Sequence, residues 1–347
     1  MKVGETTLLS LHDDEIKGVY IPAANSFLPS ALADASELVF SLRGIGWNFG
    51  TRIYVPPMPE YTRNSFILHT FLHGLNNFLL FDLTLTLIIN IPGLGSVDGG
   101  SMFFENLPPV QRYFVSSVIM LLVAVQFVAG FAVTDSMTAL VGVGILQQDP
   151  KEWPPIMEAP WAADSLHDFW GRRWHQTLRH IFFVYGGMPG QLIAGKAGMV
   201  IGSFFASALY HELGMYLIDR PFDYRAVLFF LLNGVGVVFE WVFYKLSGRR
   251  VSGIIGRIWA WVFVLGFGQM LIDSWFVRGL GGSQVLPLES SPTRMFLAPI
   301  LEPFLASDYF PIYFTTEFSM AVLKFPTTIR RKPLYSNKED RDTTVAI

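Results

Sequence analysis

The sequence predicts an all-α protein, a polytopic bundle of about six to eight transmembrane helices with a further helix at the membrane interface. Of the 347 residues, 51% are hydrophobic and only 15% are charged, whereas soluble domains carry about a quarter charged residues. The mean hydropathy is +0.40. Several stretches of about 20 apolar residues are long enough to cross a bilayer. Together these observations predict an integral membrane protein.

Six segments are apolar enough to be predicted as membrane spans. The stretch YFVSSVIMLLVAVQFVAGFAV contains no charged residue and is the clearest of them. The six spans are residues 65–91, 113–133, 199–218, 226–244, 258–277 and 296–314. Two other apolar pieces, 137–147 and 181–194, are too short or too interrupted by glycine and proline to cross simply. We expect them to lie in the interface or to form re-entrant segments packed against protein.

The whole chain, residues 1–347, is predicted to be one membrane-embedded domain. It divides into an N-terminal cytoplasmic or interfacial segment (1–62), a helical core (63–323) and a basic, polar tail (324–347). The first residues, MKVGETTLLSLHDDEIKG, are too polar to predict a secretory signal peptide. Lysine and arginine are concentrated before the first span, in residues 134–198 and 245–257, and in the tail. This bias predicts that these segments face the cytoplasm.

The overall composition excludes some classes of function. The net charge of −3 is too small to indicate a nucleic-acid partner. The absence of cysteine excludes disulfides, thiolate metal sites and a cysteinyl covalent intermediate.

The block DSLHDFWGRRWHQTLRH, residues 164–180, is unusually rich in charged and aromatic side chains. It contains two tryptophans, three arginines and three histidines. If the block is one helix, residues four apart share a stripe. That stripe contains Asp168, Arg172, His175 and Arg179, and beside it lie Phe169, Trp170 and Trp174. Such a helix suits the membrane interface, where its arginines would hold phosphates. A simple anchor against lipid headgroups remains open.

Ionisable residues inside the predicted spans are costly and invite a functional interpretation. His211 and Glu212 are adjacent in SALYHELGMYL, near the middle of a span. We expect His211 to be functional, because imidazole exchanges protons near neutral pH. For Asp82, Glu240 and Asp273 we expect a structural role, in which they pair within the bundle and stabilise it.

The quoted motifs resemble those of a known family. FWGRRWH (169–175) is followed by ALYHELG (208–214), and 36 positions separate their histidines. In this order and spacing they resemble the membrane-bound O-acyltransferases, in particular the wax synthase branch and the related fungal acetyltransferases of secondary metabolism. RGIGWNFG (43–50) also resembles a segment of those fungal proteins. Many relatives carry asparagine at the position of His175.

The resemblance implies transfer of an acyl group, in this branch acetyl, from acyl-CoA to a hydroxyl of a terpenoid or polyketide intermediate. It implies that His211 is the general base and that His175 binds or polarises the thioester or places the acceptor. Residues expected to bind CoA or substrate are Trp170, Arg172, Arg173, Trp174, Arg179 and Glu212.

The resemblance also sets expectations for ligands and location. We expect acyl-CoA as a co-substrate, no permanently bound cofactor and no metal. The expected partners are acyl-CoA, a lipophilic alcohol and membrane lipid, and the oligomeric state is left open. We expect residence in the endoplasmic reticulum, with the segment around residues 164–180 facing the cytoplasm.

Several alternatives remain open at this point. Within the class, a long-chain wax ester synthase is the nearest. A haem or metal protein would use histidine ligands; the candidates are His69, His73, His175 and His211. A transporter is favoured by intramembrane carboxylates, although no internal repeat supports it. A membrane scaffold without catalytic activity would leave His175 and His211 unexplained.

Overall fold

The structure is a computed structural model, and it describes residues 53–297 except residue 284, together with residues 29, 32, 35, 42–45 and 50. Within these residues it contains helices and turns and no strand, so the predicted all-α class is confirmed. The predicted span 296–314 and the tail lie outside the described residues beyond Leu297.

Five helices in the described part of the chain are long and apolar enough to cross a membrane. In chain order the helices are α1 (Arg63–Ile89), α2 (Pro109–Ile145), the short α3 (Leu166–Asp168), α4 (Arg179–Leu217), α5 (Tyr224–Ser247) and α6 (Gly253–Val277). Long apolar helices satisfy their own backbone hydrogen bonds, as a bilayer requires. The protein is therefore an integral membrane protein, as predicted.

Local sequence signals define several helix ends. The side chain of Thr62 accepts a hydrogen bond from the Ser65 N–H at the start of α1. Asp223 caps α5 in the same way by accepting from Arg225. These are the residue types that satisfy the free N–H groups of a first turn. Gly248 ends α5 with a φ of 69°, a conformation that glycine adopts without steric cost.

The apolar piece 137–147 is not a separate segment. It belongs largely to α2, which continues past Leu140 through a π-helical turn over Val141–Ile145. The prediction of an independent interfacial or re-entrant piece there was wrong, because no residue before Val141 interrupts the helical hydrogen bonding.

The piece 181–194 forms the first arm of a break within α4. Ala194 (φ −138°, ψ 28°) and Gly195 (φ 57°, ψ −140°) leave the helical conformation. The break separates an arm of residues 179–193 from a second arm of residues 196–217. The predicted span 199–218 corresponds to the second arm.

Glycines bring the two arms of α4 into backbone contact. A Cβ placed on Gly190 would lie 2.1 Å from the Gly198 carbonyl oxygen, and one on Gly186 would lie 2.0 Å from that of Gly202. Because the contacts run in opposite directions along the chain, the arms are antiparallel. The first arm thus packs against the second, and close glycine contacts are common between membrane helices. Whether residues 181–194 lie in the interface or are re-entrant stays a prediction.

Two apolar clusters occupy the interior between the helices. In the first, Ile119 and Val123 of α2 pack with Ile272 and Phe276 of α6. The second contains Ala208 of α4, Phe229 and Phe230 of α5, and Leu271 of α6. Trp275 packs against both clusters. The junction between α2, α4, α5 and α6 thus lies at this tryptophan.

Candidate active site

The block 164–180 does not form one helix. After α3 a π-helical turn covers Phe169–Arg173, and Trp174 is extended, with φ −77° and ψ 153°. The predicted stripe of residues four apart was therefore wrong beyond Arg173. Other hydrogen bonds replace the helical ones: Glu158 N–H donates to the Arg173 carbonyl, and the Gln176 side-chain amide donates to the carbonyls of Trp170 and Trp174.

Glu240 of α5 anchors the start of this block. Its two carboxylate oxygens accept hydrogen bonds from the N–H groups of Leu166 and His167, at 2.7 and 2.9 Å. Both N–H groups belong to the first turn of α3, where a negative charge is favourable. The structural role predicted for Glu240 is consistent with these contacts.

Trp170 is held between α4 and α5. Its indole N–H donates to Asn233 Oδ1 at 2.9 Å, and Asn233 is completely buried. The ring of Trp170 lies 5.5 Å from that of Phe204 and 6.4 Å from that of Phe230, between centroids. An indole that is hydrogen-bonded at one end and packed along its length has little freedom to move.

His175 packs against α2. Its ring centroid lies 4.3 Å from that of Phe131 and 5.2 Å from that of Trp174. Its Nδ1 atom is buried and has no hydrogen-bond partner within the part of the chain that the structure describes. Burial, and to a smaller extent the neighbouring His211, lower the pKa of His175 to about 4. His175 is therefore neutral near pH 7.

His211 lies on the second arm of α4, among aromatic rings. It stacks on Phe230, with 4.8 Å between centroids and 9° between ring planes, and its centroid is 5.8 Å from that of Trp275. Trp275 in turn contacts Phe127, one helical turn before Phe131 on α2.

Both histidines thus border one group of rings, the central aromatic cluster. Its members are Phe127, Phe131, Trp170, Trp174, Phe230 and Trp275. The two predicted catalytic residues, 36 positions apart in sequence, are close enough that His211 influences the pKa of His175. Two imidazoles beside a largely apolar cluster can exchange protons with a substrate oxygen and hold it away from water.

Arg172 and Arg173 have different environments. The Arg172 side chain is 50% exposed and its guanidinium lies 4.6 Å from the Tyr54 ring centroid. Arg173 is partly buried; its Nε lies 2.5 Å from Asp168 and its Nη1 donates to the Glu158 carbonyl. Arg172 is thus accessible to a ligand, while Arg173 holds the block in its fold.

A basic surface surrounds His167. The Arg179 guanidinium donates to the Gly171 carbonyl and belongs to an exposed residue. Burial lowers the pKa of His167, and the positive charges of Arg179 and Arg250 lower it further. These arginines, with Arg172, form a positively charged surface beside the block, a feature suited to phosphate binding.

Glu212 faces away from the site. Its oxygens accept two hydrogen bonds from Arg278 at 2.8 and 2.9 Å, and it also accepts from the Asp223 N–H. Both side chains of the Glu212–Arg278 pair are 4% exposed. Contact between Glu212 and a substrate therefore stays a prediction. The contacts of Glu212 in the structure are with Arg278 and Asp223, and they stabilise the fold.

The other buried carboxylates bind loops at the ends of helices. Asp82 accepts from the Ser291 hydroxyl and the Thr293 N–H. Asp273 accepts from the Met102 N–H and pairs with Arg225 at 2.5 Å. Their partners are N–H, hydroxyl and guanidinium groups, which is consistent with the predicted stabilising role.

His69 and His73 form a separate pair on α1. Their rings stack with 6.2 Å between centroids, and His73 lies within 3.3 Å of the Ser136 hydroxyl and 3.2 Å of the Asn77 amide. Among the described residues, no group of three or more histidine, aspartate or glutamate side chains is arranged to hold a metal ion.

The RGIGWNFG segment contacts the chain just before the block. Arg43 donates to the carbonyls of Pro154 and Pro155 at 2.8 and 2.9 Å. Residues 46–49 of this segment lie outside the described residues. The contact of Arg43 holds this segment against the stretch that precedes the block.

Residues 153–232 match the family described as Membrane bound O-acyl transferase. This stretch contains both the block and His211. The resemblance to the membrane-bound O-acyltransferases is confirmed. The matched stretch thus includes residues 170–174, both candidate catalytic histidines and Phe204 of α4, which packs against Trp170, but it ends before Asn233 and Glu240.

Curated relatives of this chain come from fungi and plants. Acetyltransferase ple2 of Rhodocybe pseudopiperita is 27% identical over 70% of this chain, and the chain spans 63% of its length. Acetyltransferase eriL of Hericium erinaceus is 26% identical over 74% of this chain and 70% of its own length. The long-chain-alcohol O-fatty-acyltransferase of Simmondsia chinensis is 30% identical over 44% of this chain and 45% of its own length. No solved structure matches the chain.

Sequence reasoning about the candidate site missed several residues that the structure brings to it. Asn233 was detectable as an amide in the apolar run FFLLNGVGVV, and Arg250 as part of a basic loop. Phe131 and Trp275 gave no such signal, because an aromatic residue in a membrane span is ordinary. Their positions follow only from the packing of α2 and α6 against the histidines.

Proposed function

We propose that this protein transfers an acetyl group from acetyl-CoA to a hydroxyl of a lipophilic acceptor, a terpenoid or polyketide intermediate of fungal secondary metabolism. The observation that carries the proposal is the convergence of His175 and His211 on the central aromatic cluster. The names of the two fungal acetyltransferases support the donor. The family match supports the broader class, acyl-CoA-dependent O-acyltransferases.

In the proposed reaction His211 is the general base. It takes the proton of the acceptor hydroxyl while that oxygen attacks the thioester carbonyl. The new ester bond forms as the carbon–sulfur bond breaks, and the CoA sulfur leaves with the proton returned from His211. The neutral state of His175 suits a second role, in which one ring nitrogen donates a hydrogen bond to the thioester oxygen and stabilises its developing charge.

The basic surface would bind the polar part of CoA. Arg172 and Arg179 are accessible and are matched to phosphate oxygens in charge and geometry, and Trp170 and Trp174 would line the path from that surface to His175. In this proposal Arg173 and Glu212 maintain the fold through their internal partners. No metal or resident cofactor takes part in the proposed steps.

The proposal includes the location of the enzyme. CoA thioesters are cytoplasmic, so the block would face the cytoplasm, and the acceptor would enter from the bilayer. Residence in the endoplasmic reticulum and a single domain over residues 1–347 are parts of the same proposal.

Long-chain wax ester synthesis is a second candidate. The relative from Simmondsia chinensis, named a long-chain-alcohol O-fatty-acyltransferase, favours it. Acetyl-CoA and palmitoyl-CoA, each offered with fatty alcohols and with terpenoid alcohols, distinguish the two candidates by the ester that forms.

The test uses microsomes from cells that express the full chain. Labelled acetyl-CoA and a panel of alcohols should give labelled ester with the wild type. His211→Ala should lower the rate by about 10²- to 10⁴-fold with unchanged membrane insertion. His69→Ala, which removes a histidine on α1, is the matched control and should retain activity. Wild-type rates from His211→Ala would remove His211 from the mechanism.

A second pair of variants tests His175. His175→Ala should lower turnover strongly, whereas His175→Asn should retain more of it, since an asparagine amide can also donate a hydrogen bond. Equal losses in the two variants would contradict a hydrogen-bonding role for His175.

A further inference from the structure

Phe131 occupies the space next to one of the two candidate catalytic histidines. Its ring is tilted by 31° over His175 at 4.3 Å between centroids, and it meets Trp174 edge to face at 5.8 Å. The phenyl ring therefore forms a wall where an acyl group bound at His175 would extend.

The backbone of α2 keeps this wall in place. Ala129 and Ala132, on either side of Phe131, are 0% and 8% exposed. A Cβ added to Gly130 would lie 3.2 Å from the Phe81 ring of α1, so α2 is already in close contact with α1. Close-packed helices resist displacement. An acyl chain longer than the space allows would thus need the Phe131 ring itself to move.

We propose that Phe131 determines the length of the acyl group that the protein accepts and restricts it to acetyl or a similarly short chain. This inference rests on the proposed function and narrows its donor class. It predicts that removal of the phenyl ring opens space beside His175 in which further methylene groups become buried.

The expected effect follows from the burial of methylene groups. Each methylene group removed from water strengthens the binding constant by a factor of about four. Butyryl-CoA has two methylenes more than acetyl-CoA, so Phe131→Ala should raise the ratio of kcat/KM for butyryl-CoA over acetyl-CoA by about 15-fold relative to the wild type. The ratio of kcat/KM for hexanoyl-CoA over acetyl-CoA should rise further, as long as the opened space can hold the longer chain.

The experiment measures these ratios in microsomes with acetyl-, butyryl- and hexanoyl-CoA and one accepted alcohol. Phe131→Leu, which keeps most of the bulk, should stay close to the wild-type ratio, and Phe131→Val should fall between leucine and alanine. This graded series also keeps the test decisive if Phe131→Ala does not accumulate. The matched control is Phe114→Ala, which removes a phenyl ring from the same helix at a side chain that is 69% exposed, and it should keep the wild-type ratio.

The outcomes separate this inference from the proposed function. Ester formation by the wild type together with an unchanged ratio across the Phe131 series overturns the role of Phe131 and leaves the proposed function standing. A wild type that prefers hexanoyl-CoA over acetyl-CoA also overturns it. A wild type that forms no ester from any acyl-CoA overturns the proposed function, and this inference with it.

Discussion

Glu212 binds Arg278 through two hydrogen bonds, while His211, its neighbour in sequence, stacks on Phe230. Adjacent helical residues point about 100° apart, so the two side chains lie in different surroundings. His211 faces the aromatic interior between α4, α5 and α6. Glu212 instead ties α4 to the end of α6, close to the turn before α5.

Glu212→Gln should destabilise the protein, because it leaves the buried guanidinium of Arg278 without a counter-charge. Removal of one partner from a buried ion pair typically costs about 3–5 kcal/mol. Thermal unfolding in detergent measures the loss, and the double variant Glu212→Leu with Arg278→Met should recover part of it. Undiminished thermal stability of Glu212→Gln combined with loss of activity would instead support a substrate contact for Glu212.

Glu240→Ala should loosen the start of the block. The N–H groups of Leu166 and His167 lose their acceptors, and hydrogen bonds to charged groups contribute about 1.5–3 kcal/mol each. Hydrogen exchange followed by mass spectrometry should show faster exchange in peptides covering residues 164–170. The control is Asp82→Asn, whose partners are Ser291 and Thr293. Asp82→Asn should leave the exchange rates of those peptides unchanged. If the peptides of Glu240→Ala exchange as slowly as those of the wild type, Glu240 does not hold the start of the block.

The hydrogen bond between Trp170 and Asn233 should appear as coupling in a double-mutant cycle. Asn233→Leu leaves a buried indole N–H unsatisfied, at a cost of about 1–3 kcal/mol. Once Trp170 is phenylalanine, the same substitution should cost less. Unfolding midpoints of the two single variants and the double variant give the coupling free energy. Strict additivity would mean that the bond contributes nothing to stability.

The glycine contacts within α4 predict a sharp difference between two helical glycines. Gly190→Ala should destabilise the protein by more than about 2 kcal/mol, because its Cβ would lie 2.1 Å from the Gly198 carbonyl oxygen. Gly214→Ala on the same helix is the matched control, since a Cβ there has nothing within 4 Å. It should be neutral or stabilise by up to about 1 kcal/mol. Similar unfolding temperatures for the two variants would argue against close contact between the arms.

The pKa of His175 predicts a pH dependence of stability. The unfolded chain protonates this imidazole near its ordinary pKa of 6.5, and the folded chain only near 4. Between these values the unfolded state binds more protons, so stability falls as the pH is lowered from 6.5 towards 4. His175→Asn removes this contribution, and its unfolding temperature should fall less than that of the wild type between pH 7 and pH 5. If the unfolding temperatures of the two proteins fall by the same amount between pH 7 and pH 5, the pKa of His175 is not lowered in the folded state.

The sequence predicted less of the site than of the fold. The pairing of His175 with His211 came from a resemblance and stays a prediction, and both rings border the central aromatic cluster. The helical stripe through Arg172, His175 and Arg179 was wrong, because Gln176 and Glu158 supply hydrogen bonds that end the helix at Trp174. These hydrogen-bond partners do not follow the spacing of helical residues in the sequence. Helical periodicity therefore does not reveal them.

The sequence by itself determined the helical class of the protein and the approximate positions of five of its predicted spans, because long apolar runs have only one low-energy form in a bilayer, the helix. It also determined that charge and imidazole are concentrated in one block. Only the tertiary structure decided which side chains meet: Arg278 with Glu212, Glu240 with the start of α3, and Phe131 with His175. These contacts join helices that are far apart in the chain, and their geometry depends on how the helices pack rather than on the composition of any one of them.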